Sequence, residues 1–137
     1  MPSLTSDDGF GDERYFDSKI IDIAYELVKR SGFTRVMLIP RFLDVLLKTE
    51  CCERELFVEA AIASEDKKVI DGFNALKFPL DTNFILCGSE GRCAIYDYLL
   101  REKAKINRDI LAIISTEDID MLSVKGAIYI AKTAGLI

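Results

Sequence analysis

From Ile20 onward the chain sets aliphatic side chains three and four residues apart. Ile20, Ile23, Ala24, Leu27 and Val28 repeat at this spacing, with Lys19, Asp22, Glu26, Lys29 and Arg30 between them. At 3.6 residues per turn a helix gathers such positions on one face, whereas a strand would divide them between two. Gly32 follows where a left-handed helix cap needs a residue without a Cβ. The same grammar recurs along the chain. Pro40 suits a first helical turn, and Phe42, Leu43, Leu46 and Leu47 follow as a narrow apolar stripe. Leu56, Phe57, Ala60 and Ala61 oppose Glu53, Glu55 and Glu59 in a helix expected to stop near Ser64. Ser64 is then read as the cap of a successor with Glu65 and Asp66 in its first turn and Val69, Ile70, Phe73 and Leu76 inward.

Beyond Pro79, Phe84-Ile85-Leu86-Cys87 is the one apolar run of strand length. Without a second strand it has nothing to pair with, so it is expected to be a buried helical turn or an extended linker. Ser89 is read as the cap of a helix burying Ala94, Ile95, Leu99 and Leu100, and Asn107 as the cap of a short one carrying Ile110, Leu111 and Ile114. The last helix is expected from about Thr116, through Leu122, Ala127, Ile130, Ala131 and Ala134, to Gly135. The fold class that follows is all-α, a compact bundle of six or seven short helices with Ile23 and Leu46 among its core residues.

Residues 1–13, MPSLTSDDGFGDE, combine Gly, Ser, Asp and Pro without an apolar period and are expected to form a flexible acidic tail. Residues 14–137 are then a single helical domain. With 50% hydrophobic and 30% charged residues, the chain has the balance of a globular protein.

The net charge of −5 disfavours nucleic acid and anionic membranes, and Lys and Arg form no local patch that would offset it. No apolar run reaches membrane-spanning length, and a cytoplasmic location is expected. The cysteines, Cys51, Cys52, Cys87 and Cys93, match no zinc or redox spacing and are read as reduced thiols. Histidine is absent, which removes the commonest general base and a common metal ligand.

Ala24-Tyr-Glu-Leu-Val-Lys-Arg-Ser-Gly32-Phe33 aligns without gaps with Ala127-Ile-Tyr-Ile-Ala-Lys-Thr-Ala-Gly135-Leu136, which gives the bundle a pseudo-repeat. Any two glycine-capped amphipathic helices share such positions, so the alignment alone leaves common origin and coincidence both open. The context of the first copy adds to it. Ala24, Val28, Gly32, Val36 and then Phe42-Leu43-x-x-Leu46-Leu47 resembles the N-terminal repeat domain of Clp-type AAA+ unfoldases, and Gly91, Ala94, Leu99 or Leu100, Ile106, Asn107 and Leu111 resemble that family's third helix, turn and fourth helix. The resemblance covers most of residues 16–64 and 90–137. Pro40 and Arg41 replace the family's usual Glu-His pair, and the chain carries no GxxxxGK[ST] loop for ATP hydrolysis.

Sites of chemistry are few. Gly88-Ser89-Glu90-Gly91 could cradle an anion at a helix start, but Glu90 opposes one, and a plain capping loop is the expectation. Adjacent Cys51 and Cys52 on a helix would point about 100° apart. Carboxylates two apart, such as Glu53 and Glu55 or Asp118 and Asp120, do not face each other. A non-catalytic protein, without cofactor or metal, is therefore expected. The resemblance implies a module that docks a protein or peptide partner. Two alternatives are a small acidic inhibitor or immunity-type protein that blocks a basic partner, and an unfamiliar enzyme using Cys51 or Cys52. The candidate partner-binding residues are Phe33, Arg35, Met37 and Arg41, in a segment with more apolar and flexible side chains than a solvated connection needs.

Overall fold

The computed structural model describes residues 15–79 and 82–137. The expected acidic tail, 1–13, lies outside them. Helix α1, Ser18–Ser31, is capped by Asp17, whose carboxylate accepts from the Lys19 backbone N–H at 2.8 Å. It closes with Lys29 and Arg30 against the negative end of the dipole and Gly32 at φ +82°. Its buried residues are Ile21, Ala24 and Val28. Ile23, expected inside, is 54% exposed. The sequence offered two overlapping stripes, and the packing chose the one through Ile21.

A single helical turn, α2 (Phe33–Val36), buries Val36 completely. The short α3 (Ile39–Val45), with Pro40 in its first turn, buries nothing. Leu46, also expected in the core, is 70% exposed. Helix α4 (Cys51–Ala75) opens with a reciprocal capping box, in which the Glu53 carboxylate accepts from the Glu50 N–H at 2.8 Å while the Glu50 side chain accepts from the Glu53 N–H. It runs straight through the expected boundary. Ser64 is a buried mid-helix residue whose hydroxyl donates to the Ala60 carbonyl at 2.6 Å, so it caps nothing. Ala60, Ala61, Ala63 and Ser64 form a buried small-residue surface on α4, the helix against which α1 packs most extensively.

The second half departs from the all-α expectation. Strand β1 (Phe84–Cys87), helix α5 (Glu90–Glu102) and strand β2 (Ile110–Ile113) form a βαβ unit, with β1 and β2 parallel and Phe84 opposite Ile110 through Cys87 opposite Ile113. Where Asn107 was expected to cap a helix, the chain supplies the missing partner strand. A parallel pair needs a long crossover, and α5 provides it. The described chain is thus mostly helical, with five helices of seven residues or more, one helical turn and a two-stranded parallel sheet.

Two clusters make the core. Ile21, Val28, Val36, Phe57, Ile95 and Leu99 join α1, α2, α4 and α5. Ile70, Leu100 and Ile106, flanked by Phe84, Leu86 and Ile110, fasten the sheet to α4 and α5. Helix α6 (Thr116–Thr133) starts where expected, with the Ser115 hydroxyl accepting from the Asp118 N–H at 3.4 Å, yet buries no residue. No described helix is long and apolar enough to cross a membrane.

Candidate functional site

Both strands run toward the same loop. Beyond Cys87, the Gly88 N–H donates to the Ile113 carbonyl at 3.1 Å, which ties the loop to the carboxyl end of β2 as well as β1. Ser89 then holds the N-cap position of α5, its carbonyl accepting from the Cys93 N–H at 2.9 Å. Its hydroxyl does not cap the helix. That oxygen is buried and has no hydrogen-bond partner among the described residues. A buried hydroxyl left unpaired costs about 1–3 kcal/mol, so one that persists calls for an explanation. The first-turn N–H groups of Glu90, Gly91 and Arg92 also have no intrahelical acceptor.

The loop opens on a depression of about 500 Å³ whose wall includes Glu59, Cys87, Ser89, Arg92, Cys93 and Tyr96. Arg92 Nε lies 3.6 Å from Glu59 Oε1, so the depression carries both signs of charge. The Tyr96 hydroxyl donates to Asp66 at 2.5 Å. Burial, followed by that hydrogen bond, pushes the Tyr96 phenol up to about 12, and it stays protonated at neutral pH. Burial also raises the Cys93 thiol, with Cys87 adding to the effect, which works against a thiolate at this position. Ser89 takes the expected N-cap position, but without a side-chain cap bond. Ligands of open α/β sheets lie in the crevice outside the carboxyl ends of the strands, at such a loop and helix start.

The four residues expected to bind a partner are divided. Phe33 and Met37 are half-buried and pack on the first core cluster, while Arg35 and Arg41 are exposed. Met37 and Arg41 do meet, with Leu38, Phe42, Val45 and Leu46, around a depression of about 620 Å³. Phe33 and Arg35 are not in its wall. The sequence reading missed Leu38, Phe42, Val45 and Leu46 as surface residues. Phe42 and Leu46 belong to the stripe expected to face the core, and nothing in a stripe says what covers it.

Comparison of the chain with protein-family models, curated proteins and solved structures gives no match.

Proposed function

We propose that this chain is a non-catalytic binding module that takes a small ligand of the nucleotide class at the β1–α5 loop. One observation carries the reading, the buried and unpaired Ser89 hydroxyl at the carboxyl end of a parallel βαβ unit. The ligand class follows from the chemistry of the wall. Ser89 and the first-turn N–H groups of α5 suit phosphate or hydroxyl oxygens. The planar Arg92 guanidinium suits a base or a phosphate. Glu59 accepts from sugar hydroxyls and disfavours a bare polyanion. The test is calorimetric titration with AMP, ADP, ATP and the corresponding nucleosides, on the native chain and on Ser89→Ala and Arg92→Ala. Saturable binding that both variants weaken supports the reading, and no heat with any of these ligands overturns it.

A second reading, of a helical module that docks a protein or peptide, is favoured by the exposed apolar surface of Leu38, Phe42, Val45 and Leu46 beside Met37 and Arg41. It rests on the resemblance of most of residues 16–64 and 90–137 to the substrate- and adaptor-docking domain of Clp-type unfoldases. The acidic blocker of a basic partner rests on net charge alone. Peptide-array binding lost in Phe42→Asp but retained in Ser89→Ala assigns docking to α3, and the opposite pattern assigns it to the loop.

A further inference from the structure

The sheet has one covered face and one bare one. Phe84, Leu86 and Ile110 turn toward α5 and α4, whereas Ile85 and Leu111, partners in register, are 59% and 58% exposed. Parallel strands are ordinarily buried on both faces. Helix α6 follows β2 after only Ile114 and Ser115, yet contributes no residue to either core cluster. Met121, Leu122, Val124, Ile128, Tyr129 and Ile130 all stand exposed along it. An 18-residue helix with β-branched residues and Gly126 in its interior draws most of its stability from packing rather than from propensity. Among the described residues two apolar surfaces therefore lack cover, a helix and a sheet face.

Their size matters for what covers them. A compact chain of 15.4 kDa exposes about 7,200 Å², whereas this chain exposes 10478 Å². Allowing residues 1–14 the largest area a segment of that length can have, about 2,200 Å², still leaves the rest about 1,600 Å² above the roughly 6,650 Å² that a compact chain of its size exposes. A standard interface takes about 800 Å² from each partner.

We infer that the occupant is a second copy of this chain, each copy laying α6 on the open sheet face of the other about a twofold axis. A single added peptide would cover the sheet or the helix and leave the other bare. An isologous pair supplies one helix and one sheet face per copy and satisfies all four surfaces at once. The inference does not rest on the ligand proposed at the β1–α5 loop, although Ile85 of the open sheet face also lines that depression; no α6 residue does.

Sedimentation equilibrium of the full chain tests it, with Leu111→Lys on the sheet and Leu122→Lys on α6. Both residues are exposed, so the variants keep the fold, which far-ultraviolet circular dichroism checks. The expected result is a dimer for the native chain and at least a tenfold weaker association for each variant. Mixing the two variants should restore part of the association, because the mixed pair retains one helix-on-sheet contact with both sides native. A monomer at the highest soluble concentration, an open-ended series of oligomers, a dimer indifferent to both substitutions, or mixed variants no stronger than either alone would each overturn the reciprocal pair.

Discussion

The Tyr98 hydroxyl donates to Asp22 Oδ1 at 3.0 Å across 76 residues of sequence, pinning α5 to α1. Lys103 Nζ reaches the same oxygen at 2.8 Å, and its ammonium lies 5.3 Å from the centre of the Tyr25 ring. The tie joins the helix of the βαβ unit to the first helix of the chain.

Tyr98→Phe should cost about 1 kcal/mol, the net worth of one hydrogen bond, with an unchanged denaturant slope. Urea unfolding curves of the two proteins measure it.

Asp22 gives the tie an acid dependence. The hydrogen bond from Lys103, followed by the one from Tyr98, holds its carboxyl below the usual 3.8 despite the opposing effect of burial. A depressed carboxyl stabilises the fold above its unfolded value and loses that contribution as pH falls through the folded one. Asp22→Asn should therefore lower stability at neutral pH and flatten the acid limb below pH 3.8. Denaturation midpoints measured across that limb give the comparison.

Tyr96 acts at the other end of the scale. Its folded value of about 12 lies above the ordinary 10.0, so the stability it carries is present below pH 10.0 and is lost as pH rises toward 12. Tyr96→Phe should remove that part of the alkaline loss, as thermal midpoints followed through this window will read, and ultraviolet titration should show one phenol fewer ionising late.

Core and surface separate along α1. Ile21→Ala empties a fully buried site and should cost about 2–5 kcal/mol, whereas Ile23→Asp and Leu46→Asp should each fall within about 0.5 kcal/mol of the native chain. Equal losses in all three variants would mean that α1 and the α3 end are packed differently.

Cys51, Cys52 and Cys87 are exposed and Cys93 is buried with its thiol raised. Under native conditions a disulfide reagent should modify three thiols quickly and the fourth only as the protein opens. Mass spectrometry of the quenched adducts identifies the slow one.

Local signals settled much of the helical half. The body and end of α1 were legible because the repeating aliphatics and Gly32 specify the same element, and the start of α6 because Thr116, Glu117 and Asp118 suit a first turn, while the caps Asp17 and Ser115 emerged with the structure. The Met37 to Leu46 surface was half-legible, since its apolar content could be read and its exposure could not. The paired strands were not legible. Phe84–Cys87 and Ile110–Ile113 are four-residue apolar runs, too short for a period to choose between helix and strand, and each becomes a strand only because the other lies beside it. Once paired, they place the Gly88–Ser89 helix cap at the carboxyl ends of parallel strands. Helix periodicity is written within a few residues and survives in the sequence. Strand pairing, the choice between Ile21 and Ile23, and the bareness of α6 are contacts between distant parts of the chain, and only the tertiary structure decides them.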